Sequence, residues 1–421
     1  MYYFFLYPFV HISVNQGVFL YNTLNNQYIE DQNYEVIELV KKILDSESKC
    51  VRIGRNYCNK EFIKTFIEKI RNLYAGDLIE ATQEKNPPMQ LIEDLKVHKN
   101  NIAVNKEDIG IDILDYLNKC LIYINSDCNI NCTNCDKMYK QFTFCKRNKN
   151  NNYIKFNILK DIINTLLVID VQEIYISGGD LFAYPFIDEL ITYIKENRKD
   201  ITFIINQKHI TKYTETVIKE KMTGLSIKLL IDDLDFFIYN NSYIQLLLEK
   251  LNVSYQFTIE SEKEICKLEI IAENIPEDAI EIVPFFNKNL YFFKNLVYIT
   301  KEALFEENHS LNSILTNKVI NSNFFGSLII DSDLKVYSSF NKPWLGEIGK
   351  NSFQELIYKE ISNILTWKLT REHLPVCKNC NYCFLCPAPS NYEIALNKSN
   401  LCHVDINKSI NTITLIRKFK F

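Results

Sequence analysis

From about residue 118 the chain alternates short apolar runs with longer stretches whose apolar residues recur every three or four positions. CLIYIN (120–125), EIYIS (173–177), ITFIINQ (201–207), LSIKLLID (225–232), VSYQFTIE (253–260) and IEIVPFF (280–286) read as six strands. Between them, FNILKDIINTLLVI (156–169), PFIDELITYIKE (185–196) and segments near 210–220 and 243–251 read as helices. Strands alternating with helices imply an α/β architecture with a parallel sheet and helical crossovers, and six strands fit a partial barrel better than a closed one of eight.

The flanks have a different texture. Residues 3–14 and 18–22 read as strands of a hairpin around Asn15-Gln16-Gly17, followed by amphipathic helices at 35–44 and 61–73. Two prolines in EKNPPMQ (84–90) mark a boundary, because they stop both helix and sheet. Beyond residue 320, FGSLIIDSDLKVYSS reads as a hairpin around Asp331-Ser332-Asp333, with a helix at 352–366 and then a cysteine-dense stretch. That stretch reads as a separate small module that needs a staple. The units expected are 1–95, 116–295 and 320–421, and the Asn-rich NKNNNY (148–153) is expected as a solvated loop.

Composition removes several classes. The 48 basic and 52 acidic residues are mixed along the chain and leave a formal charge of −4, which gives no footprint for nucleic acid. The opening MYYFFLYPFVHISV lacks a basic flank and is broken by Pro8 and His11, so it is neither a signal peptide nor a membrane span. A cytoplasmic protein with no membrane partner is the expectation. Thirteen cysteines in a reducing compartment point to metal or catalysis before disulfides. Cys50, Cys58, Cys120 and Cys266 stand alone and read as buried thiols, whereas Cys128, Cys132, Cys135 and then Cys377, Cys380, Cys383, Cys386 and Cys402 fall in two groups.

The first group, CNINCTNC (128–135), directly follows an apolar strand. Three thiolates in one short loop can hold three irons of a 4Fe-4S cube and leave the fourth open. Zinc would want a fourth ligand, which Cys145 could supply at a looser spacing. The next strand ends in YISGGDLF, where Gly178 and Gly179 permit close backbone approach to a ligand and Asp180 offers an acceptor for an ammonium group; a helix cap is the plainer reading. The C-terminal run CKNCNYCFLCPAPSNYEIALNKSNLC (377–402) is a CxxC ladder that suits zinc and iron–sulfur equally.

Taken together, the triplet and the Gly-Gly-Asp turn resemble the radical SAM superfamily, in which CxxxCxxC follows the first barrel strand and a GGE-type motif ends the second. The resemblance implies a partial (β/α)6 barrel. It also implies that Cys128, Cys132 and Cys135 ligate a 4Fe-4S cluster whose open iron takes the amino and carboxylate groups of S-adenosyl-L-methionine, with Gly178, Gly179 and Asp180 positioning the methionine moiety. Asp180 stands where Glu is usual, and Asn134 stands where an aromatic residue commonly precedes the last cysteine.

The C-terminal group is similar to the SPASM domain of radical SAM enzymes that modify peptides. Cys377, Cys380, Cys386 and Cys402 match the ligands of its outer auxiliary 4Fe-4S cluster. Ser338 or Ser339 and Ser390 stand where the inner cluster would need cysteines, which implies one auxiliary cluster and leaves Cys383 spare. The N-terminal hairpin and helices look like the winged-helix element that binds a leader peptide by strand addition. The whole chain resembles the Bacteroidales-type pseudo-radical-SAM/SPASM family, here with an intact triplet.

The implied activity is modification of a ribosomally made precursor peptide through a 5′-deoxyadenosyl radical, with an electron donor such as a flavodoxin or ferredoxin. The alternative is a degenerate relative that binds the peptide beside a true maturase; a zinc-stabilised α/β protein of unrelated function is a third reading. No catalytic residue is assigned. Asp232 and Asp233 end a barrel strand and are candidates for ribose or substrate contact. Tyr139 and Lys140 could cover the cluster loop or simply start a helix, and the six histidines, His11, His98, His209, His309, His373 and His403, show no ligand pairing and read as surface or capping residues.

Overall fold

The computed structural model describes residues 1–46, 49–81, 111–130, 132–148, 150, 152–197, 201–273, 275–398 and 400–403. The proline boundary at 84–90, His98 and most of the third unit's tail beyond residue 403 lie outside the described residues.

In the N-terminal unit the expected strand 3–14 is two strands. Pro8 breaks it, because a residue without an N–H cannot continue a ladder, and a turn closes from Val10 N–H to Tyr7 O at 3.0 Å. β1 (Tyr2–Leu6) lies between β5 (Cys50–Ile53) and β6 (Gly76–Glu80), whereas β2 (Val10–Val14), β3 (Val18–Asn22) and β4 (Tyr28–Asp31) form a second antiparallel sheet. The β2–β3 hairpin turns where expected, and Gly17 is needed there: at φ +147° an added Cβ would lie 2.8 Å from Asp31 O. Helices Tyr34–Asp45 and Glu61–Asn72 bury Val36, Leu39, Val40 and Ile43, and Ile63, Phe66, Ile67 and Ile70, in one small core.

All six expected strands form, as β7 (Lys119–Tyr123), β8 (Glu173–Ser177), β9 (Ile201–Asn206), β10 (Ser226–Ile231), β11 (Asn252–Ile259) and β12 (Ile280–Pro284). They are parallel and lie side by side in chain order. The helix expected at 243–251 runs instead from Leu234 to Leu248, since the Asp233 side chain accepts from Phe236 N–H at 3.0 Å and starts it nine residues earlier. The apolar run LDFFI lacks clean helical spacing, which hid this first turn from the sequence. The segment near 210–220 is a turn followed by a π-helical stretch, Val217–Lys221.

The sheet continues past β7 on its other side. β13 (Ser327–Ile330) pairs parallel with β7, and β14 (Lys335–Tyr337) and β15 (Gly346–Glu347) follow antiparallel, giving nine strands. The C-terminal hairpin therefore grows from the central sheet, and Leu356, Ile357 and Ile361 of helix Phe353–Asn363 join the core of the parallel strands together with Trp367. The buried Glu360 carboxylate closes this helix's end by accepting from Thr366 N–H at 2.6 Å and Trp367 N–H at 2.8 Å.

Alternation assigns the two sheet faces. Cys120, Ile122, Ile174, Ile176, Phe203, Ile205, Leu229 and Ile231 enter the main core under the helices. Leu121, Tyr123, Ile204 and Leu230 point to the opposite face, where Met138, Phe142 and Phe144 cover them. Of the lone cysteines, Cys50, Cys58 and Cys120 are buried, but Cys266 is exposed on helix Glu262–Ala272.

Trp367 is fully buried, packs at a tilt against Phe325 and donates to Ser327 O at 2.9 Å. Trp367→Ala is expected to cost about 3–5 kcal/mol, read as a lowered urea midpoint, with loss of structure centred on β13.

Candidate functional site

Every expected residue of the first site lies beyond the C-terminal ends of adjacent parallel strands, the edge where such sheets collect ligands. The cysteine loop follows β7, Gly178–Asp180 follow β8, Asn206–His209 follow β9 and Asp232–Asp233 follow β10. The first two segments interlock. Asp180 N–H donates to Asp127 O at 2.6 Å, Gly179 N–H to Asn125 O at 3.1 Å, and Asn125 Nδ2 to Asp180 O at 2.7 Å. A Cβ on Gly178 would fall 1.9 Å from Asn125 Oδ1, and one on Gly179 would fall 2.2 Å from Asp127 O. The glycines are thus bare to admit the start of the cysteine loop, a different reason from the ligand approach inferred from sequence. Asp180 caps a short helical turn by accepting from Phe182 N–H at 3.0 Å, as the plainer reading had it.

The three thiols have unlike environments. Cys128 is buried, with Sγ 3.8 Å from Ile130 O and 3.5 Å from His209 Nε2. Burial pushes Cys132 up to about 11. Cys135 opens helix Cys135–Gln141, and a hydrogen bond from the Cys145 thiol holds it down to about 7. Cys145 is buried against this site, pushed well up by the same bond and by desolvation. Among the described residues, no three His, Cys, Asp or Glu side chains already converge on an ion-sized point. Either cysteine group is therefore a donor set that a metal would have to draw in.

The same edge holds a polar lining. Asp232 accepts from Asn206 Nδ2 at 3.0 Å and Lys208 Nζ at 2.8 Å, whereas Asp233 is spent as a helix cap. Ser177 Oγ, Gln207 Oε1, Gln256 Oε1 and Thr258 Oγ1 are buried without a hydrogen-bond partner. Orphaned buried polar atoms are costly, and these four, spread along the sheet from β8 to β11, fit a polar ligand more readily than an apolar one. Tyr139 packs edge-on to Phe340, and Lys146 lies over both rings while pairing with the buried Asp331. Lys140 acts through its backbone: its carbonyl accepts from Asn341 Nδ2 at 2.6 Å and Asn391 Nδ2 at 2.7 Å.

The C-terminal cysteines come together as a second site. Cys377, Cys380, Cys383, Cys386 and Cys402 line one apolar cavity of about 30 Å³ with Arg371, Ile299 and Leu401. Cys383, spare in the sequence, faces the same space, and burial pushes its thiol up to about 12. The all-sulfur donor set fits zinc or iron–sulfur. As placed, these thiols converge on no ion-sized point, so zinc or a cluster would equally have to draw them in. Arg371, which no sequence signal marked, is buried at the rim, with Nη1 4.0 Å from Cys377 Sγ and an ion pair to Glu393. Ser390 caps helix Asn391–Ala395, Ser339 Oγ donates to Asn391 Oδ1 at 3.0 Å, and Ser338 is buried nearby. Of the serines expected in place of inner-cluster cysteines, Ser339 and Ser390 are hydrogen-bonded, whereas Ser338 Oγ is buried without a partner among the described residues.

The histidine expectation fails for three of the five described. His11, His209 and His309 are buried, and desolvation takes His11 down to about 3. His209 reaches both Cys128 and Asp180, its Nδ1 lying 3.8 Å from Asp180 Oδ1. Nothing in its sequence neighbourhood announced this, because the contacts come from three different strand ends.

The family model of a 4Fe-4S single cluster domain matches residues 118–257, the stretch that holds the first triplet. No curated protein matches the chain. Among solved structures, SuiB of Streptococcus suis bound to precursor peptide SuiA is similar at 13% identity, covering 95% of this chain and 100% of its own, with a TM-score of 0.45. SuiB bound to S-adenosylmethionine gives 13%, 95%, 98% and 0.43, and SuiB by itself 11%, 95%, 100% and 0.44. Similarities this low say nothing of this chain's chemistry. Among the described residues, no helix is long and apolar enough to cross a membrane.

In metal-free protein, alkylation of Cys135 by iodoacetamide is expected to reach half its maximal rate near pH 7, because the thiolate is the nucleophile and forms above that value. Cys132 should stay slow until about pH 11. Cys145→Ala should move the Cys135 midpoint upward, because it removes the stabilising donor; mass-resolved rates at each cysteine provide the check.

Proposed function

We propose that this chain is a radical SAM enzyme acting on a ribosomally made precursor peptide in the cytoplasm. The observation that carries the reading is the interlock of the Cys128–Cys132–Cys135 loop with the Gly178–Asp180 turn. Thiolate donors and an ammonium acceptor are thereby fixed to one another at the C-terminal edge of adjacent parallel strands. The 4Fe-4S single cluster match over the same residues supports it. When bound, a 4Fe-4S cluster with S-adenosyl-L-methionine supplies a 5′-deoxyadenosyl radical for hydrogen abstraction, and the cofactor carries the hard chemistry. Cys128, Cys132 and Cys135 would hold the cluster, Gly178–Asp180 would hold the methionine end, and Asp232 with the orphaned polar groups would meet the rest of the molecule.

The remaining roles follow the resemblance. Cys377, Cys380, Cys386 and Cys402 would hold one auxiliary 4Fe-4S cluster, the unit 1–95 would bind a leader peptide, and a flavodoxin or ferredoxin would deliver the electron. The second reading is a chain that grips the peptide as partner of a true maturase, with a C-terminal metal that serves structure alone, which the all-sulfur donor set would also accept.

The test is anaerobic reconstitution with iron and sulfide, iron counting and a SAM-cleavage assay with dithionite, on wild type and on a variant with Cys128, Cys132 and Cys135 all changed to alanine. Two clusters, about eight irons by the ligand sets above, with 5′-deoxyadenosine that the variant abolishes, is the expected result. Iron unchanged by the variant, with no cleavage, establishes the partner reading instead. Zinc in place of iron at the C-terminal site would leave the first site's iron and cleavage intact.

A further inference from the structure

The buried imidazole of His209 joins the two halves of the first site and is used by no role assigned so far. Its Nε2 is 3.5 Å from Cys128 Sγ and its Nδ1 is 3.8 Å from Asp180 Oδ1. The loop that carries it is held at several points. Asn206 Oδ1 accepts from Lys208 N–H at 2.9 Å, Gln207 Nε2 donates to Asp233 O at 2.8 Å, and the His209 carbonyl accepts from Thr214 Oγ1 at 3.2 Å. The ring is therefore positioned by the ends of β9 and β10, independently of the cysteine loop it touches.

We infer that His209 is a positioning residue for the first site: its Nε2–H donates to the Cys128 sulfur once that sulfur is a metal-bound thiolate, and the body of the buried ring fills the space between Cys128 and Asp180. A metal-bound thiolate has no proton to give, so the ring nitrogen facing it can interact favourably only as a donor. Hydrogen bonds to cluster sulfurs are among the levers that set reduction potential, since they stabilise the more negative, reduced state. Removing the donor should make the cluster harder to reduce. Removing the ring should also loosen the spacing between cluster and methionine end on which S-adenosyl-L-methionine binding depends.

This inference rests on the radical SAM reading. The experiment is an EPR-monitored redox titration of the full reconstituted chain, with SAM affinity measured alongside, on wild type, His209→Leu and His209→Gln. The first-site signal is identified by subtracting the spectrum of the variant lacking Cys128, Cys132 and Cys135. His209→Leu is expected to lower the reduced-to-oxidised ratio at a fixed solution potential about tenfold, which is 59 mV for a one-electron couple, and to weaken SAM binding several-fold. His209→Gln, which keeps a donor at a similar reach, should recover most of both.

A wild-type potential in His209→Leu with full iron overturns the inference and leaves the radical SAM reading standing. Equal loss of potential in the Gln and Leu variants overturns it too, since packing alone would then explain the effect. If His209→Leu fails to hold iron, the Gln variant decides, a near-wild-type potential supporting donation and a shifted one refuting it. Absence of first-site iron in wild type removes the reading and the inference together.

Discussion

The first site depends on a close approach between two stretches of backbone. Asn125–Asp127 leave β7 and Gly178–Asp180 leave β8 so near to one another that neither glycine has room for a single carbon more. Two of the hydrogen bonds across that contact run from main chain to main chain, and the Asn125 side chain adds a donor and an acceptor. The contact fixes where the loop of Cys128, Cys132 and Cys135 begins, and it aims Asp180 at the same region. β7 and β8 are neighbours in the centre of a nine-stranded sheet, which leaves this junction little freedom to shift.

Much of this was legible in the chain. The six parallel strands announced themselves because a strand buried on both faces reads as a near-continuous apolar run, broken by Thr202 alone in ITFII and by Lys228 alone in IKLLI. The two cysteine groups were visible through spacing alone. What stayed hidden was set by contacts distant in sequence. Helix Leu234–Leu248 starts early because Asp233 caps it, and a cap is hard to recognise when the following turn, LDFFI, lacks amphipathic spacing. The break at Pro8 was there to be read but was masked by the apolar residues on either side. His209 and Arg371 owe their positions to strand ends and loops that meet only in three dimensions. The glycine pair was singled out for ligand approach, and the structure gives it a further reason in packing against the chain itself.

The C-terminal segment also departs from the picture of an appended module. Its hairpin extends the central sheet through β13, and its helix and Trp367 share the main core. Only the cysteine-dense loop stands apart, and there Arg371 offers a buried positive charge beside the thiols, countered by Glu393. A buried ion pair is costly to break from one side, so the charge at the rim of that cavity is firmly held.

The cysteine-dense loop is also the seat of the N-terminal hairpin. Tyr382, Phe384 and Leu385 pack with Phe19, Tyr21, Leu304 and Ile314, and Asn15 N–H donates to Asn381 Oδ1 at 3.1 Å across 366 residues of chain. At synthesis rates of about 5–20 residues per second, the hairpin emerges from the ribosome roughly 20–70 s before its seat exists. During that interval Phe19 and Tyr21 have no apolar cover from the segment they finally meet. The nascent chain therefore leaves this aromatic face of the hairpin without its final cover until the cysteine-dense segment has been made.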